Sequence, residues 1–381
     1  MSADPRLFLI DDIDALGRFT SSVLPELEGA CVALDIEEEN TLHFRPRVAL
    51  VQISARGRDF ILDPLRLPSD PLSSALEFLC FGAGCMLLHG ARNDIVGIKR
   101  DFGFGPHRVR DTQICARFLG FRAFGLAALL EAELGLSLDK TERRSDWSER
   151  PLSPAQLAYA RADTAHLHEL DARLRERVSQ AGWLDAVEEE EEAMTALAPE
   201  DVTFDPDGWR RIKKRGAMED AEKDRLAALW AWRHRLAETY NLNPTKVLPP
   251  WALVQFAGYG RLPSARSSLW TALGLRLGPD ERQELEHCLT KPPRRASAQS
   301  GGSRTPRLAP AASQRLEALM AWRHHEAERS GLEEGWLAPR HLLEAIALHR
   351  ANSPEDFASI PEVRRWRIAR YAEDWWRIGK R

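Results

Sequence analysis

The feature that most constrains this chain is a repeat in its second half. Arg225–Leu242 reads RLAALWAWRHRLAETYNL, Arg315–Leu332 reads RLEALMAWRHHEAERSGL, and the two agree at eleven of eighteen positions. Each copy is amphipathic at helical spacing and is followed by a proline and an apolar helical stretch: Pro250 before WALVQFA and Pro339 before RHLLEAIAL. A repeated supersecondary unit predicts two small all-α modules, here placed at 205–290 and 311–381. Between them Lys291–Pro310 (KPPRRASAQSGGSRTPRLAP) reads as a flexible basic linker.

Residues 1–200 follow a different pattern. Cys31–Ile36, Val48–Ser54, Asp59–Leu62 and Met86–His89 are short apolar runs that read as strands. Asn93–Asp101, Thr112–Leu119 and Leu126–Leu134 carry helical spacing, and Ser153-Pro154 reads as the start of a helix running to about Gln180. Meandering strands followed by βα units predict an α/β domain with a mixed sheet flanked by helices. Glu188–Glu192 reads as the solvated face of the helix that closes this domain.

Charge separates the halves again. The net charge of −4 conceals −12 over residues 1–200 and +8 over 201–381. Such asymmetry points to a polyanionic partner. No run approaches the roughly 18–20 apolar residues of a spanning helix, and the acidic MSADPRLFLIDD start resembles no secretory signal. Five cysteines without a C-x-x-C pair argue against a disulfide or zinc scaffold. The expectation is a cytoplasmic protein with no membrane association.

Several carboxylates stand where chemistry could use them. In Asp35-Ile36-Glu37 the strand period puts both acids on one face, with Ile36 toward the core. Alone the pair reads as surface, a reading that Glu38 and Glu39 favour. Asp94 follows the strand MLLH and suits either a helix cap or a metal ligand. Asp111 suits a cap. Tyr159 and Asp163, four residues apart, share a helix face.

Taken in order, ALDIE, HGARNDIVGIKRDFG, RDTQICARFLG and LDKTERRSDWSERPLSPAQLAYARADT resemble the DEDD superfamily of 3′→5′ exonucleases, tyrosine subclass. Within it residues 5–200 are most similar to the ribonuclease D family, and the two helical modules resemble HRDC domains. The resemblance implies a ribonuclease-H-like exonuclease domain binding two divalent ions, Mg²⁺ or Mn²⁺, through Asp35, Glu37, Asp94 and Asp163. Tyr159 would position the attacking water. Arg45, where such proteins often carry an aromatic residue, and Glu38-Glu39-Asn40 depart from the pattern.

The implied reaction is two-metal hydrolysis of RNA 3′ ends to 5′-mononucleotides, with tRNA precursors as the substrate class. A DNA 3′→5′ exonuclease on the same site and a non-catalytic nucleic-acid adaptor are the alternatives. His89 and Asn93 are candidates for touching the terminal nucleotide. Arg210, Arg211, Lys213, Lys214 and Arg215 are candidates for phosphate contacts. Trp230, Trp232 and Trp322, at helical spacing, read as core. Residues 1–200 alone are expected to retain slow cleavage.

Overall fold

The computed structural model describes residues 6–39, 42–139, 141–199, 203–213, 217–264, 266–274, 276–293 and 308–380. Lys214, Arg215 and residues 294–307 of the basic linker lie outside them. The chain forms two compact units: one of Met1–Glu38, Val48–Pro199 and Thr305–Arg381, the other of Glu39–Arg47 and Glu200–Arg304.

The first unit is built on a sheet of β1 (Leu7–Ile10), β2 (Cys31–Glu39), β3 (Arg47–Ala55), β4 (Arg58–Leu62), β5 (Cys85–Leu88) and β6 (Val109–Asp111). Its order is β1-β4-β3-β2-β5-β6. β3 and β4 pair antiparallel, whereas β1–β4, β2–β5 and β5–β6 are parallel, so the sheet is mixed as expected. The central strands β2 and β3 carry near-continuous apolar runs because helices cover both faces. β1 and β6 were not anticipated. Phe8 and Leu9 of β1 are exposed, so burial leaves little pattern there, and β6 has only three residues.

The parallel register pairs Cys31 with Cys85 and Ala33 with Leu87. β2 therefore continues past the end of β5, and Asp35 and Glu37 project beyond it. The helix Arg92–Phe102 that follows β5 packs close on β2 there. A Cβ on Gly97 would lie 2.6 Å from the Ile36 side chain, so a larger residue there would have to displace the end of that side chain.

The long helix expected after Ser153 is two helices, Pro154–Ala165 and Leu167–Gln180, broken at His166. The sheet holds both sides of the break. Thr164 Oγ1 lies 2.7 Å from Ser54 Oγ, and His168 Nε2 is 3.1 Å from the Ser54 carbonyl.

The second helical module, Pro310–Gly379, packs into this first unit, and its core is continuous with the sheet's helical face. Phe118 contacts Trp183, Trp336 and Trp366 at 5.4, 5.6 and 5.3 Å between ring centroids. This docking corrects the reading of Glu188–Glu192 as a solvated face. Glu189 accepts the backbone N–H groups of Arg365 and Trp366 at 2.7 and 2.8 Å. Glu190 binds the Trp366 indole N–H and Arg367, each at 2.9 Å, and Glu192 pairs with Arg365 at 2.9 Å. Glu191 turns inward, buried, to Arg175 and the Asp111 N–H.

The other unit holds the first module: helices Asp220–Thr239, Pro244–Val247, Pro250–Tyr259 and Pro279–Thr290, with a short turn Ser268–Ala272. The second module repeats this order as Pro310–Ser330, Glu334–Leu337, Arg340–Leu348, Pro354–Ser359 and Arg365–Gly379. The repeated arginines explain why the sequence repeats. Arg225 binds the Ala257 carbonyl as Arg315 binds Ala347, and Arg233 binds Leu248 as Arg323 binds Ala338, the last two each at 3.0 Å. Each arginine satisfies carbonyls at a helix end that would otherwise be orphaned. Trp232 is fully buried, Trp322 packs on Tyr371 and Trp375, and Trp230 is half-buried.

Candidate active site

A cavity of about 840 Å³ opens at the carboxyl ends of β2 and β5, where ligands bind in open α/β sheets. Its lining includes Asp35, Glu37, His89, Asn93, Asp94, Arg143, Tyr159 and Asp163. Carboxylate oxygens of Asp35, Glu37 and Asp163 lie within 4.8 Å of one another. Asp94 stands beside that trio, buried, and its Oδ1 accepts the Ile36 N–H at 3.1 Å. The sequence therefore brings all four acids and Tyr159 into one cavity from three separate elements.

Each element has a local cause. Ser153 and Gln156 form a reciprocal cap, with Ser153 Oγ accepting the Gln156 N–H at 3.1 Å and Gln156 Oε1 accepting the Ser153 N–H at 2.9 Å. That fixes the helix start, and Tyr159 and Asp163 then project together one turn apart. The turn after β5 passes through Gly90 at φ +74°. Asp111 holds this turn: its carboxylate accepts the N–H groups of Gly90 and Ala91 at 2.8 and 2.9 Å while capping the next helix at Gln113. The DWSERPL stretch braces the tyrosine. Trp147 is buried with its ring 6.0 Å from Tyr159. Arg150 ties its strand of chain to Asp63 at 2.8 Å and to the Ala49 carbonyl at 3.0 Å.

The electrostatics are those of acids crowded without a counter-charge. Burial, then the repulsion of Asp94, Asp163 and Glu37, raises Asp35 well above the usual carboxylate range. Burial, then the repulsion of Asp163 and Asp94, pushes Glu37 up to about 8, with Arg143 pulling the other way. Burial lifts Asp94 and Asp163 to about 7 each, the Tyr159 hydroxyl and Arg143 opposing it at Asp163. Burial and the nearby carboxylates hold the Tyr159 phenol protonated. Burial lowers His89, so its ring is neutral; Nδ1 lies 2.9 Å from Thr112 Oγ1. Asn93 is exposed on the cavity rim.

Arg143 is the site residue that spacing did not single out. It is exposed, lines the cavity, and forms no ion pair among the described residues. A cation three positions after the LDK stretch was its only signal. Arg210, Arg211 and Lys213 belong to the other unit. Arg210 and Arg211 are exposed and paired with Asp207 and Asp205 at 2.7 and 2.9 Å. No helix among the described residues is long and apolar enough to cross a membrane.

Comparison with known proteins agrees with this geometry. A 3′→5′ exonuclease family model matches residues 9–179, and an HRDC domain model matches residues 312–378. Ribonuclease D of Xanthomonas oryzae pv. oryzae is 30% identical over 342 residues, covering 84% of this chain and 87% of its own length. Ribonuclease D of Nitrobacter hamburgensis is 28% identical over 353 residues, covering 90% and 88%. The crystal structure of Escherichia coli RNase D, described as an exoribonuclease involved in structured RNA processing, superposes with a TM-score of 0.62 at 25% identity, covering 100% of this chain and 99% of that one. A Bifidobacterium adolescentis protein at 22% identity shares the fold with a TM-score of 0.76. The chain belongs to the ribonuclease D family and is a 3′→5′ exoribonuclease.

Proposed function

We propose that the 840 Å³ cavity receives the 3′ end of a structured RNA, such as a tRNA precursor, and releases 5′-mononucleotides from it. The convergence of Asp35, Glu37 and Asp163 oxygens within 4.8 Å carries this reading. Acids this close, with proton affinities raised by burial and, at Asp35 and Glu37, by neighbouring carboxylates, form a donor set in which a hard divalent cation would take the place of the protons. Asp35, Glu37, Asp94 and Asp163 would hold two ions, Mg²⁺ or Mn²⁺. Bound there, such ions supply positive charge to the attacking and leaving oxygens of a phosphodiester.

The chain's own groups do the rest. Tyr159, kept as a phenol, orients the attacking water by a hydrogen bond and does not remove its proton. Asp94, tied to the Ile36 N–H, fixes the distance between β2 and the helix Arg92–Phe102. Arg143 on the rim offers a cation to the scissile phosphate. Neutral His89 and exposed Asn93 face the terminal nucleotide, and Arg210, Arg211 and Lys213 contact the RNA body. The test is a tRNA precursor with a 3′ extension, incubated with and without Mg²⁺. Stepwise 3′ shortening with 5′-mononucleotide release, absent in Asp163→Asn, is expected; internal cleavage products would contradict it.

A further inference from the structure

We propose that a second cavity, of about 360 Å³, binds the nucleotide just upstream of the 3′-terminal dinucleotide, which the first cavity holds. This rests on the reading of the first cavity as the hydrolytic site. The two are joined by the chain itself: Phe124 lines the second cavity and Gly125 lines the first. The Phe124 backbone also lies against His89 of the first cavity. An RNA strand whose 3′ end occupies the first cavity leaves it across this segment.

The lining suits a nucleotide. Phe121 and Phe124 present aromatic surface, and Arg122 is exposed with no ion pair or hydrogen bond among the described residues. Bases stack on aromatic rings whatever their identity, while a free guanidinium meets the phosphate. Arg117 lies 4.1 Å above the Phe124 ring and 3.4 Å from Glu333, so it fixes the ring and offsets the one acid in the lining.

The far wall comes from the second helical module, through Gly331 and Glu333. The approach is close enough that a Cβ on Gly120 would sit 2.9 Å from the Gly331 carbonyl oxygen. The acidic run at Glu189 and Glu190 therefore does more than anchor the module. It sets the wall of an RNA-binding cavity beside the hydrolytic one.

The test compares a diribonucleotide with a hexaribonucleotide, using the full-length protein and its Arg122→Ala and Phe124→Leu variants. For the hexamer, KM is expected to rise about tenfold in each variant, as loss of one charged or stacking contact would give, with kcat unchanged. Diribonucleotide kinetics are expected to stay at the wild-type values. An unchanged hexamer KM in both variants would overturn the proposal. So would an equal KM rise for both substrates, which would place the effect in the hydrolytic cavity. Failure of the wild type to cleave the diribonucleotide would instead overturn the hydrolytic reading on which the proposal rests.

Discussion

Glu189 caps a helix that lies 176 residues further along the chain: its carboxylate accepts the N–H groups of Arg365 and Trp366, the first two residues of the helix Arg365–Gly379. An acid at a helix N-terminus satisfies orphan donors and complements the helix dipole. Glu189→Ala is expected to cost about 1–2 kcal/mol, a fall of several degrees in Tm by thermal unfolding. An unchanged Tm would show that the cap is unimportant.

The same interface changes what a truncation should do. Residues 1–200 alone would expose Phe118 and Trp183, which now share a core with Trp336 and Trp366. The fragment is expected to aggregate or to unfold at a lower temperature than the full chain, measured by light scattering during a thermal ramp. This reverses the expectation, from charge asymmetry alone, that it would retain slow cleavage.

Tyr159→Phe removes only the hydroxyl that faces the acid cluster. Turnover should fall about 100-fold or more, with KM for RNA and metal affinity nearly unchanged. Steady-state kinetics with a short oligoribonucleotide measure both. Wild-type turnover would remove Tyr159 from the chemistry.

The raised acids predict an unusual pH dependence of metal-free stability. Unfolded carboxyls titrate near pH 4, whereas Asp94 and Asp163 titrate at about 7 and Glu37 at about 8 in the folded chain. Between these limits the folded state binds more protons than the unfolded one, so stability falls as pH rises. In EDTA the Tm should be lower at pH 8 than at pH 5.5. Asp35→Asn should raise it at pH 8, and Mg²⁺ should stabilise more at pH 8 than at pH 5.5. Scanning fluorimetry across pH, with and without Mg²⁺, checks all three.

Arg150 ties the DWSERPL stretch to Asp63 and the Ala49 carbonyl. Its loss leaves a buried carboxylate unpaired, at about 3 kcal/mol or more. Arg150→Ala should lower both Tm and kcat, the latter because Trp147 no longer braces Tyr159. A kcat that stays at the wild-type value would separate the brace from the tyrosine.

What the sequence disclosed follows from where a residue's partners lie. Strand period 2 puts Asp35 and Glu37 on one face and a helix turn does the same for Tyr159 and Asp163, but alone these pairs read as ordinary surface and packing residues. It was the resemblance of the surrounding motifs to the ribonuclease D family that marked them as site residues. The helical repeat was legible because its arginines bind carbonyls at fixed separations, as Arg233 does to Leu248 and Arg323 to Ala338. Glu189 and Glu190 were misread because their partners, Arg365 and Arg367, stand in another module. Local pattern offers no sign of that pairing, and five acids in a row normally face water. The break at His166 escaped for the same reason: Ser54, on a distant strand, holds it.

The most direct measurement is a crystal of the full chain soaked in Mn²⁺, with anomalous scattering recorded at the manganese edge. Two peaks among Asp35, Glu37, Asp94 and Asp163 are expected, and Asp163→Asn should lose at least one. Manganese bound elsewhere, with none among these four acids, would contradict the assignment of this cavity as the hydrolytic site.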